Sequence, residues 1–133
     1  HAHAWRERRA VAVGADEIDA AVAHSDIVVL VQPNNPTGVH FGRERLLEWH
    51  ACLARRGGWL VVDEAFIDTD PEESLLPHAG TDGLVVLRSL GKFFGLAGAR
   101  VGFVFAPADV RAALAERLGP WTLAGPARWA AMA

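Results

Sequence analysis

The chain has 133 residues, enough for one domain with a modest core, and 51% of them are hydrophobic, which excludes a disordered segment. Thirteen Lys and Arg against sixteen Asp and Glu leave a formal charge of -3 with the signs interspersed, so neither nucleic acid nor an anionic membrane is implied as a partner. The single cysteine, Cys52, cannot close an internal disulfide, the chain opens on polar residues rather than a signal sequence, and no apolar run approaches membrane-spanning length; a reducing, cytoplasmic setting is the simplest expectation.

His1 to Arg9 carries helix formers without a cap and predicts a surface helix with Trp5 turned inward. Its His1-x-His3 pair invites a metal reading, but side chains two apart on a helix diverge, and no metal site is assigned. Ala10 to Val13 predicts a short strand, and Asp16 to His24 a short helix with an acidic first turn and apolar Ile18, Ala21 and Val22. Ile27 to Val31 is an unbroken aliphatic run, the pattern of a strand buried on both faces in a parallel sheet. It ends in Gln32-Pro33-Asn34-Asn35-Pro36-Thr37-Gly38. That composition is a turn's, and the carboxyl end of a strand is also where open α/β sheets bind ligands.

Arg43 to Arg56 sets Leu46, Leu47, Trp49, Cys52 and Leu53 on one helical stripe, stopped by Gly57-Gly58. Trp59 to Phe66 predicts a second buried strand that ends in two carboxylates, Asp63 and Glu64. Carboxylates at a strand end suit a solvated turn or a helix cap. Asp68 to Asp82, with Pro71, Pro77 and Gly80, reads as a polar link with His78 at the surface. Leu84 to Leu87 predicts a third strand, Val101 to Ala106 a fourth, and Pro107 to Leu118 a helix with proline at its start. After Gly119-Pro120, Trp121 to Ala133 reads as a partly helical tail.

The chemistry concentrates between the third and fourth strands, in Arg88-Ser89-Leu90-Gly91-Lys92-Phe93-Phe94-Gly95-Leu96-Ala97-Gly98-Ala99-Arg100. A hydroxyl, an amine and a guanidinium lie among three glycines that let the backbone approach a ligand closely, which describes an anion-binding loop carrying a nucleophilic amine. Leu90, Phe93, Phe94 and Leu96 predict apolar surroundings for Lys92, which would disfavour its charge, lower its pKa and suit it to imine chemistry.

Ser89-x-x-Lys92-x-x-Gly95-Leu96-x-Gly98-x-Arg100 after a strand resembles the cofactor-lysine segment of the fold type I pyridoxal 5'-phosphate enzymes, the aspartate aminotransferase superfamily. The resemblance implies that Lys92 joins the cofactor covalently and that Ser89 and Arg100 hold its phosphate. Pro33 to Gly38 is similar to the superfamily's Asn-Pro-x-Gly loop, which implies that Asn35 bonds the cofactor's phenolic oxygen, with the Asn35–Pro36 bond in the cis form. Asp63-Glu64-Ala65-Phe66 resembles the superfamily's aspartate strand, which implies that Asp63 keeps the pyridine nitrogen protonated. Phe66 departs from the tyrosine common there, and the chain contains no tyrosine. With Ile67-Asp68 added, this stretch and the lysine loop look most like the threonine-phosphate decarboxylases of cobalamin biosynthesis; histidinol-phosphate aminotransferases are the nearest alternative.

The implied architecture is α/β: residues 1 to 133 as the central part of the large cofactor-binding domain, a mostly parallel sheet with flanking helices, truncated at both ends, with an antiparallel strand after the lysine. An upstream Gly-rich phosphate loop, a ring-stacking aromatic residue and a small C-terminal domain that supplies an arginine for the substrate carboxylate would lie outside it. The implied activity is decarboxylation of L-threonine O-3-phosphate to aminopropanol phosphate, or transamination, by a homodimer acting on a small amino acid, with Lys92 and Asp63 catalytic and this segment inactive alone. A reading from another class, a cofactor-binding effector module of a transcription regulator, needs a basic helix-turn-helix region that the chain lacks.

Overall fold

The computed structural model describes residues 10 to 132; the helix expected over His1 to Arg9, with Trp5 and the His1/His3 pair, lies outside the described residues. Four strands form one sheet in the order β1-β2-β3-β4: β1 Ile27–Val31, β2 Trp59–Asp63, β3 Leu84–Ser89 and β4 Gly102–Phe105. The β1/β2 and β2/β3 pairs are parallel, and β4 returns antiparallel to β3 as the resemblance implies. The helices are α1 Ile18–His24, α2 Arg43–Ala54, α3 Ala108–Leu118 and α4 Gly125–Ala130. Among the described residues no helix is long and apolar enough to cross a membrane.

Side chains alternate between the two faces of a strand, and the residues of one register, Leu60 and Val62 of β2 with Leu84 and Val86 of β3, are wholly buried. They pack with Val22 of α1 and with Leu46, Trp49 and Leu53 of α2, the inward stripe expected of Arg43 to Arg56. Burying each such side chain contributes about 1.5–3 kcal/mol, so this layer fixes the sheet on which everything else is mounted. His50, also on α2, bonds the Asp82 carbonyl through Nε2 at 2.8 Å and ties the helix to the approach to β3. A Cβ on Gly58 would sit 2.6 Å from the Asp26 carbonyl oxygen, so only glycine fits where the chain leaves α2 and enters β2.

Four expectations are corrected. The strands are not covered on both faces: Ile27, Val29 and Val104 are 58%, 47% and 40% exposed, because the helices that cover the sheet, α1 and α2, lie on the other side. Ala10 to Val13 forms no strand and is exposed; it pairs with none of the four strands, and a lone extended segment has no ladder to stabilise it. The polar link after β2 is a series of 3-10 turns, Ile67–Thr69, Pro71–Glu73 and Leu76–His78, that buries Ser74 and Leu75 and half-buries His78. The second strand also stops at Asp63 rather than Phe66, since Glu64 turns inward to meet that link.

Candidate functional site at the carboxyl edge of the sheet

Because β1, β2 and β3 are parallel with Val31, Asp63 and Leu87 in one row, the segments that follow them leave from one edge. The antiparallel β4 begins at that same edge, where Gly102 pairs with Ser89. Residues 90 to 101 therefore form a loop whose two ends are pinned side by side, and Arg100 returns next to Ser89 despite the ten residues between them.

The loop after β1 is built around Gln32, a fully buried residue that the sequence reading passed over. Its backbone N–H donates to the Asp63 carbonyl at 2.9 Å, its side-chain oxygen accepts from the Phe41 N–H at 3.1 Å, and its side-chain N–H donates to the Phe41 carbonyl. The bonds Gln32–Pro33 and Asn35–Pro36 are both cis, the second as expected. Asn34 spends its side chain within the loop, accepting from the Thr37 hydroxyl at 2.8 Å. The Asn35 side chain makes no hydrogen bond among the described residues and is exposed at the sheet edge.

At the end of β2 two adjacent carboxylates face opposite ways. Asp63 stands on the face left open by the helices, half-buried, with Oδ1 accepting the Ala65 N–H at 3.1 Å. Glu64 is wholly buried on the other side, where it accepts from the Ser74 hydroxyl at 2.6 Å and the Leu75 N–H at 2.7 Å. Arg88 of β3 joins it at 3.6 Å and pairs with Asp68. No motif flagged this buried group; the usable signal was an arginine inside an aliphatic strand, at the position whose alternation points toward the core.

Ser89, Gly91, Ala97, Arg100 and Gly102 line a cavity of about 220 Å³. The Ser89 hydroxyl accepts the Gly91 N–H at 3.1 Å, and a Cβ on Gly91 would lie 3.3 Å from the Ala97 Cα, so the loop closes tightly here. Arg100 adopts a left-handed backbone, φ 56 and ψ 36, and its Nη1 donates to the Ala97 carbonyl at 3.2 Å. Beside the cavity, Lys92 Nζ lies 5.6 Å from the centre of the Phe66 ring. The apolar enclosure expected for this lysine is corrected: Lys92 is exposed, and Phe93, Phe94 and Leu96 are 59%, 52% and 47% exposed. The loop stands off the end of the sheet, and among the described residues no helix buries Lys92 or its aromatic neighbours.

Residues 9–133 match the family described as aminotransferase class I and II. The chain belongs to the class I and II aminotransferase family. Among relatives of this aminotransferase-family chain, threonine-phosphate decarboxylase of Pseudomonas aeruginosa is 52% identical over 130 residues, 96% of the chain and 39% of that protein. A histidinol-phosphate aminotransferase of Mycobacterium bovis is 45% identical over 100 residues, 74% of the chain and 26% of that protein. The crystal structure of histidinol-phosphate aminotransferase from Sinorhizobium meliloti in complex with pyridoxal-5'-phosphate has a TM-score of 0.64 at 29% identity, over 73% of this chain and 27% of that one. The chain thus spans well under half the length of these relatives, and its mixed sheet with flanking helices corresponds to part of their large domain. Within this family segment Lys92 is the only lysine.

Proposed function

We propose that this segment holds pyridoxal 5'-phosphate within an enzyme that decarboxylates L-threonine O-3-phosphate to aminopropanol phosphate, the reaction the resemblance assigns to cobalamin biosynthesis. The observation that carries the reading is the convergence at one sheet edge of an amine, a carboxylate, an unengaged amide and a cavity lined by Ser89 and Arg100. Those donors fit the group: a phosphate monoester needs hydrogen-bond donors and positive charge, which Ser89, Arg100 and the glycine-lined backbone offer. When bound, the cofactor supplies an aldehyde that joins a primary amine and a protonated pyridine ring that accepts electron density from the substrate's α-carbon.

Each residue then has a task its chemistry allows. Asp63 would hold the proton on the ring nitrogen, since a neighbouring carboxylate favours the cationic form. Asn35 would donate its amide N–H to the ring's phenolic oxygen. Ser89 and Arg100 would anchor the phosphate and so fix where the reacting atoms lie. Lys92 would join the aldehyde at rest and, once released by the substrate amine, move a proton at the α-carbon, delivering one after carbon dioxide leaves. A second copy of the full-length protein would complete the site, as the resemblance implies.

The 52% identity across nearly the whole chain supports the decarboxylase reading, and the 45% identity to a histidinol-phosphate aminotransferase keeps transamination as the second reading, in which Lys92 removes the α-proton instead. The two reactions differ in product. Incubating the full-length protein with pyridoxal 5'-phosphate and L-threonine O-3-phosphate should release carbon dioxide without any 2-oxo acid acceptor. Acceptor-dependent turnover of histidinol phosphate, without carbon dioxide release from threonine phosphate, selects the aminotransferase reading.

A further inference from the structure

The last backbone bond between β2 and β3 runs from the Glu64 N–H to the Leu87 carbonyl at 2.8 Å, yet β3 continues two residues further, to Ser89. Beyond that bond the two strand ends are tied by side chains. Arg88, 18% exposed, pairs through Nη2 with Asp68 and through Nη1 reaches Glu64 Oε2 at 3.6 Å and the Ser74 hydroxyl at 3.4 Å. Glu64 is in turn held by Ser74 and Leu75. Two members of this clamp adjoin a residue of the proposed site: Glu64 follows Asp63 and Arg88 precedes Ser89.

We propose that Arg88 is a positioning residue: clamped by Glu64, Asp68 and Ser74 on the core side of the sheet, it sets the place of Ser89 and with it the phosphate cavity on the open side. The inference rests on the cofactor reading above. Adjacent residues of a strand point to opposite faces, so fixing the Arg88 side chain fixes the direction in which Ser89 leaves the backbone. The clamp is also unusually hard to release. Two buried carboxylates face one guanidinium, and Asp68 Oδ2 is buried with no hydrogen-bond partner among the described residues. Withdrawing the guanidinium would strand Asp68 and leave the Glu64 charge with neutral donors alone, which costs far more than loosening a neutral contact. A lysine could restore the charge but not the forked geometry that reaches both.

The test uses the full-length protein and pyridoxal 5'-phosphate, reading its dissociation constant, the phosphorus NMR line of the bound phosphate and the thermal midpoint. Arg88→Lys should weaken cofactor affinity about tenfold and shift the phosphorus line, with the protein still folded, because a fork that reaches both Asp68 and Glu64 is replaced by a single ammonium. Asp68→Asn keeps an oxygen for Arg88 and removes a buried charge, so it serves where Arg88→Lys does not fold; it should weaken affinity roughly threefold. Variants that lose thermal stability but bind with unchanged affinity and phosphorus line would make the clamp merely structural and overturn the inference. Wild-type protein that takes up no cofactor overturns the site reading and this inference together.

Discussion

Arg100 carries two properties that a single substitution can separate. Its left-handed backbone costs an L side chain roughly 1–2 kcal/mol relative to glycine, while the residue lines the cavity beside Ser89 and carries the positive charge a phosphate needs. Arg100→Gly in the full-length protein should therefore hold or raise the thermal midpoint while weakening pyridoxal 5'-phosphate binding roughly ten- to a hundredfold, the range for losing a hydrogen bond to a charged group. Unchanged affinity would remove Arg100 from the site. At this scale the motifs name Asn35, Asp63, Ser89, Lys92 and Arg100 as candidates, and the fold brings the segments that carry them to one edge. What it misjudged was environment. Apolar neighbours in sequence do not bury Lys92, because Phe93, Phe94 and Leu96 follow it into an uncovered loop. Gln32 and Arg88 were overlooked because their partners, Phe41, Glu64 and Asp68, become neighbours only after folding.

Helices α1 and α2 are joined at their exposed rim by Asp19, which accepts from the Trp49 indole at 2.7 Å and from Arg45 at 2.6 Å. The indole bond first, and the Arg45 bond next, hold the Asp19 carboxyl below its usual pKa. A carboxyl lowered in the folded state contributes stability that is complete above its unfolded value and is lost as pH falls through the folded one. In urea titrations of the full-length protein, the stability difference between wild type and Asp19→Asn should thus be full at neutral pH and shrink as pH falls below about 4, the ordinary carboxylate value, toward the lowered folded-state one. A difference that persists or grows in acid contradicts this account. The amphipathic stripe of α2 was legible because its period is local; Ala10 to Val13 was not, since a strand exists only where it pairs, and this segment joins none of the four strands. The aliphatic runs of β1 to β3 were correctly apolar on both faces, but composition does not say which face the chain's own helices cover.

The whole molecule reduces to a small core that fixes four strands and a set of loops gathered at one end of them. The order and direction of those strands bring Ser89 back to Arg100 and put Phe66 under Lys92, neither of which spacing alone could give. Everything proposed for the chain depends on that edge receiving an aldehyde cofactor at one amine. Since Lys92 is the only lysine of the segment, the question has a single-residue answer. The decisive measurement is borohydride reduction of the full-length protein loaded with pyridoxal 5'-phosphate, followed by peptide mapping. The account predicts the cofactor label on Lys92 and its loss in Lys92→Ala; a label on a lysine outside this segment, or no label on protein that binds the cofactor, would contradict it.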